Sequence, residues 1–160
     1  MSKDEDLQKA LNLSYFYLKF RPRTKKELRD YLTRKAKRYH WSAQIVEEAL
    51  SSLDEQGLID DLAFVLWFVE QRSKRKPKST FLLRRELLGF GVSKETINLY
   101  FDTHAHDDLI QAKKALSARW ERLGRYSQKD RFKKAVAFLM RRGFSFAVIK
   151  KTIAEFEKNQ

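Results

Sequence analysis

A chain of 160 residues with 34 Lys+Arg against 21 Asp+Glu has a formal charge of +13, an excess that draws polyanions by counterion release. It contains no cysteine, which excludes disulfides, thiol chemistry and cysteine-ligated metals. Only five Gly and two Pro punctuate it, too few for the turns of a sheet protein, so it reads as all-α, with 12 Phe, 6 Tyr and 3 Trp as core material.

The N-terminal MSKDEDLQKA is acidic and polar, unlike a signal or transit peptide, and the expectation is a cytoplasmic protein. The first apolar-periodic stretch, 5–20, begins with Asp6-Leu7, where an aspartate is placed to accept from the free N–H groups of a first helical turn. Thr24 and Glu27 then form a capping box before a second element at 27–32, whose Leu28 and Leu32 share a face at i, i+4. A third element, 41–53, starts with Trp41-Ser42, a bulky residue followed by a cap, and returns apolar residues at Val46 and Leu50.

The same three elements then recur. Stretch 60–72 opens on Asp60-Asp61-Leu62 and runs through eight apolar residues, Leu62 to Val69. That run is far short of the roughly 20 needed to span a bilayer. It reads instead as a helix apolar on all sides, packed between neighbours. Stretch 82–87 repeats the second element with Leu83 and Leu87, and 92–104 repeats the third with Val92-Ser93, Ile97 and Phe101. A last copy follows at 107–120 (Asp107-Asp108-Leu109), 134–139 (Ala135, Leu139) and 144–156 (Phe144-Ser145, Ile149, Ile153). Gly91 and Gly143 supply tight turns in copies two and three, where copy one has the longer segment 35–40. The expectation is three tandem three-helix repeats, 1–56, 57–105 and 106–160, forming an elongated, curved array in which each repeat buries a face on its neighbour.

Catalysis finds no foothold. The Asp pairs recur at helix starts, where capping accounts for them, and there is no phosphate loop, G-x-S-x-G or H-E-x-x-H. His104 and His106 lie in a linker, so no metal or other cofactor is expected. The cations are more informative. Arg21, Arg23, Lys25 and Lys26 join the first two elements of copy one, and Arg72, Lys74, Arg75, Lys76 and Lys78 those of copy two. Arg119, Arg122, Arg125, Lys129 and Arg131 surround the same junction in copy three. Charge recurring at one structural position suggests a basic ridge facing a polyanion, not three unrelated solvated faces. A membrane surface fits less well, because the apolar faces are needed for the core. Base reading by a helix-turn-helix would need Arg, Asn or Gln along a third helix, and 93–105 is net acidic.

Gly57-Leu58-Ile59-Asp60-Asp61 with Phe64, Phe68 and Arg72, then Arg84-Arg85-Glu86-Leu87 and Gly91-Val92-Ser93, resemble the core signature of the RecX family. Arg23-Thr24, Glu27-Leu28-Arg29 and Leu32 upstream, and Arg141-Arg142-Gly143-Phe144 downstream, fit the same family, and the likeness covers nearly the whole chain. The resemblance implies a regulator, not an enzyme. Such proteins bind the RecA recombinase, lodge along the groove of its filament on single- or double-stranded DNA, and mostly inhibit its ATPase and strand exchange in recombination and repair. It implies a monomer with no membrane association, whose groove contacts are Arg72, Lys74, Arg75, Lys76, Lys78, Arg84 and Arg85, extended by Arg21, Arg23, Lys25 and Lys26. The family often has a G-x-G-x-x-R/K turn where this chain has Pro77 to Leu82. Leu82 thus stands in place of a cation, with Lys76, Lys78 and Arg84 nearby. The alternative reading is a stand-alone nucleic-acid-binding protein that grips phosphates with the same ridge.

Overall fold

The computed structural model describes residues 2–159. Among them are nine helices and no strand: α1 (Lys3–Phe20), α2 (Lys25–Tyr39), α3 (Ala43–Glu55), α4 (Asp61–Arg75), α5 (Thr80–Gly89), α6 (Lys94–Thr103), α7 (Asp108–Leu123), α8 (Gln128–Arg141) and α9 (Phe146–Lys158). The chain divides into two compact units, Met1–Trp67 with Leu87–Tyr100, and Phe68–Glu86 with Phe101–Gln160, so α4, α5 and α6 each contribute to both.

In the first unit the core gathers Ala10 from α1, Leu28 and Leu32 from α2, and Ile45, Val46, Ala49, Leu50 and Leu53 from α3. The i, i+4 pair Leu28 and Leu32 is wholly buried, as its spacing requires. Trp41 precedes α3 and folds back onto the core, stacked at 5.4 Å on Tyr39. In the second unit Ala112, Ala115 and Leu116 of α7 meet Ala135, Phe138 and Leu139 of α8 and Ile149 and Ile153 of α9, with Phe144 in the place of Trp41.

The caps follow the sequence with instructive exceptions. Thr24 and Glu27 form the expected capping box, at 3.1 Å in each direction. Ser93 and Ser145 cap their helices, but Ser42 makes no side-chain cap bond. Asp6 is not a cap: α1 starts three residues earlier, with Ser2 accepting from the Glu5 N–H. In the two Asp pairs only the first member caps its own helix, Asp60 through Ala63 and Asp107 through Leu109. The second member reaches elsewhere. Asp61 accepts from the Lys25 N–H at the start of α2, and Asp108 from the Thr80 N–H at the start of α5.

A second recurring lock accompanies these bonds. The buried Thr24 hydroxyl donates to the Phe90 carbonyl at 2.7 Å, and the Ser79 N–H donates to the Arg142 carbonyl at 3.0 Å. Each acceptor precedes a left-handed glycine, Gly91 (φ +86°) or Gly143 (φ +87°). A Cβ on Gly91 would collide with the Lys26 side chain, and one on Gly143 would meet Ser79 Oγ and Leu82 Cβ. Both positions therefore need glycine for conformation and for close approach. In copy one α2 runs on to Tyr39, and His40 takes the left-handed position (φ 59°) that glycine holds in the other two copies.

The run Leu62–Val69 is not apolar-buried on all sides. Phe64, Val65, Phe68 and Val69 are buried, whereas Leu62 and Leu66 are exposed. The helix packs one face, and its apolar residues exceed that face.

Candidate polyanion-binding surface

The charged junction of copy two is largely helical: α4 continues to Arg75, so Arg72, Lys74 and Arg75 form its last turn, where cations suit the negative end of the helix dipole. The Ser73 hydroxyl donates to Gln111 Oε1 at 3.0 Å and ties this turn to α7. On α7 the facing residues Ala115, Ser117 and Ala118 are small, and this leaves a cleft of about 470 Å³. Its rim is built of long side chains. Among the described residues lining it, Lys74, Arg75, Lys114, Arg119, Arg122 and Arg142 are cations and none is an acid.

The cleft floor is Phe138, and the Arg119 and Arg142 guanidinium carbons lie 4.3 and 4.7 Å from its ring centroid. Stacking on the quadrupole of a ring orients these cations without neutralising them. Arg142 is held further by its Nη1, which donates to the Pro77 carbonyl at 3.3 Å. Partial burial, then Arg119 and Arg141 beside it, hold its guanidinium pKa below the ordinary arginine value. Burial is the larger cause, and the neighbouring like charge adds to it. A second concavity of about 430 Å³ shares Arg119, Arg122 and Phe138 and adds Arg125, Lys134 and Arg141, again with no acid in its lining. There Arg125 and Lys134 stand 4.9 and 4.6 Å from the Tyr126 ring centroid.

Of the cations singled out from sequence, Lys74, Arg75, Arg119 and Arg122 are at this cleft. Glu86 holds two others: Lys78 pairs with it directly, and Arg72 Nε lies 3.5 Å away in an ion pair without a hydrogen bond. Arg84 stacks at 4.7 Å on Phe101, while Lys76 and Arg85 are exposed. In the first unit, Arg21 pairs with Glu27 at 2.6 Å, and Arg23 lies 3.9 Å from the Tyr17 ring and donates to the Tyr17 carbonyl. Both are committed to the α1–α2 turn. Lys25 is exposed, and Lys26 pairs with Asp30 at 3.2 Å. Lys114 and Arg142 at the cleft, and Arg141 at the second concavity, were missing from the ridge expected from sequence, because packing and not the α7–α8 junction brings them there. Arg131, counted at that junction, instead pairs with Glu157 at 2.7 Å. His106 is turned to the Lys78 carbonyl at 3.1 Å.

Comparison with known proteins accounts for the recurring units. Residues 10–53 match the family model for the first three-helix domain of RecX, and residues 106–153 that for the third. The regulatory protein RecX of Prosthecochloris aestuarii is 32% identical over 158 residues, which cover 98% of this chain and 99% of that protein. The chain belongs to the RecX family. RecX of Chlorobium phaeobacteroides is also 32% identical, over 94% of this chain and 95% of its own length. RecX of Bacillus subtilis is 26% identical over 96% of this chain but is longer, with 57% of its length covered. In fold, the crystal structure of RecX from Lactobacillus salivarius superposes with a TM-score of 0.73 over 96% of this chain and 98% of that one, at 21% identity. Family membership makes this chain a regulatory protein by type. Leu82, which stands where the family pattern was expected to carry a cation, packs close to Gly143. No described helix is long and apolar enough to cross a membrane.

Proposed function

We propose that this protein modulates the RecA recombinase, binding RecA and the DNA in its filament groove and mostly inhibiting RecA ATPase and strand exchange during recombination and repair. It acts in the cytoplasm as a monomer without catalysis of its own. The observation that carries this reading is the acid-free cleft of Lys74, Arg75, Lys114, Arg119, Arg122 and Arg142 in a chain of the RecX family. Four of its six cations are arginines, whose planar fork matches phosphate oxygens. Arg72, Lys76, Lys78, Arg84 and Arg85 extend the contact on α4, α5 and the turn between them, and Lys25 and Lys26 at the start of α2 are separate contacts of the first unit.

The test is RecA's DNA-dependent ATPase and strand exchange with substoichiometric protein. Inhibition that is lost in an Arg119→Glu, Arg122→Glu double variant supports the proposal, and unchanged RecA activity with the native chain sinks it. The arginine content of the cleft also favours direct phosphate binding, the reading in which the protein needs no RecA. Anisotropy on naked single-stranded DNA beside RecA-coated DNA separates the two. Equal affinity for both, steeply dependent on salt, selects the stand-alone binder.

A further inference from the structure

The second unit presents another concave surface, on the helix pair α8–α9, with different chemistry. A groove of about 920 Å³ has a floor of Phe132, Ile153 and Ala154. Lys129 and Lys133, one turn apart on α8, rim one side, and Lys150 and Lys158, two turns apart on α9, rim the other. The carboxylate at its edge, Glu157, is already occupied by Arg131, at 2.7 Å to Nη2 and 3.3 Å to Nε. Among the described residues Lys129, Lys133, Lys150 and Lys158 have no carboxylate partner, and Lys150 instead lies 5.7 Å from the centroid of the exposed Phe146 ring.

We infer that this groove docks an acidic amphipathic segment of a partner protein, its apolar side chains on the Phe132–Ile153–Ala154 floor and its carboxylates toward the two lysine rims. Charge complementarity selects the sign of the partner, and the floor selects its class. Phosphate backbones are matched by arginine forks, which line the α4–α7 cleft, whereas here the cations are lysine point charges flanking an apolar strip. A peptide carrying apolar residues at i, i+3 or i+4 with Glu or Asp on both shoulders fits such a groove as a helix. From 150 to 158 the rim runs about 12 Å, roughly two turns of a docked helix. The inference does not depend on the polyanion cleft, since the two linings share no residue.

The probe is a fluorescein-labelled peptide of about 15 residues with Leu at helical spacing and Glu on both flanks, titrated by anisotropy with the full chain. Saturable binding is expected. Lys133→Glu with Lys150→Glu weakens it at least about tenfold, while Arg119→Glu with Arg122→Glu leaves it within about twofold. Ala154→Lys discriminates fit from charge. The residue is exposed and lysine is a good helix former, so the fold persists. The longer side chain fills the floor, and binding falls even though positive charge is added. The inference is overturned if Ala154→Lys tightens binding, if the peptide fails to bind, or if a single-stranded oligonucleotide or anionic vesicles show the same dependence on Lys133 and Lys150.

Discussion

The Asp108 carboxylate accepts two hydrogen bonds from Thr80, 2.9 Å from the backbone N–H and 3.0 Å from the hydroxyl. It thereby caps α5 from the start of α7, as Asp61 caps α2 from the start of α4. An N-cap carboxylate replaced by alanine costs about 1 kcal/mol. Asp108→Ala and Asp61→Ala should each lower stability by about that amount in denaturant unfolding. The neighbours Asp107 and Asp60 cap their own helices, so an effect confined to their variants, with Asp108→Ala and Asp61→Ala neutral, would contradict the cross-helix assignment.

The three left-handed glycines should differ in sensitivity. A Cβ at Gly57 (φ +73°) meets nothing within 4 Å, whereas at Gly143 it would stand 2.5 Å from Ser79 Oγ and 2.7 Å from Leu82 Cβ. Gly57→Ala should therefore cost only the backbone strain, about 1 kcal/mol, and Gly143→Ala about 2–4 kcal/mol. Equal losses in thermal unfolding would show that close approach at Gly143 does not matter.

Glu86 pairs with Lys78 and Arg72, two cations of the proposed polyanion surface. Glu86→Gln should release both cations, tighten DNA binding at low salt and steepen the dependence of log K on log salt by about one unit per added phosphate contact. Arg119→Glu with Arg122→Glu should weaken binding more than about tenfold and flatten the same slope by about two. A slope indifferent to both variants would remove this surface from the contact.

Tyr31 stacks on Tyr17 at 4.1 Å between ring centroids, and its hydroxyl donates to the Leu13 carbonyl at 3.3 Å. Burial, then Tyr17 and Tyr39, push its phenol pKa above the ordinary value, against the pull of Arg34. The folded state thus favours the neutral phenol. The resulting stability is fully present below the unfolded pKa, about 10, and is lost as pH rises through the higher folded value. Native protein should lose thermal stability above about pH 10 more steeply than Tyr31→Phe. Parallel curves would mean that Tyr31 does not contribute to the alkaline transition.

The fold was legible because it is written in local periodicity. Leu28/Leu32, Leu83/Leu87 and Ala135/Leu139 stand at i, i+4, and all six are buried. Trp41, Val92 and Phe144, each before a Ser, are buried as well. The second Asp of each pair was misread for the same reason that made capping attractive. A carboxylate at a helix start satisfies a first-turn N–H by default, and only the packed structure supplies a competing donor such as Thr80 or Lys25.

Of itself, then, the sequence determined three helices repeated three times, their buried faces, their glycine turns and a large positive excess, because each is set by spacing along the chain or by composition. Tertiary structure decided which cations remain available. Arg21 and Arg131 are equivalent to Arg75 and Arg119 in charge and junction, yet the first two are bound to Glu27 and Glu157 while the others line an acid-free cleft. The difference rests on which side chains meet across helices, and charge neutralisation acts through space at a few ångströms, a distance that residue spacing does not encode.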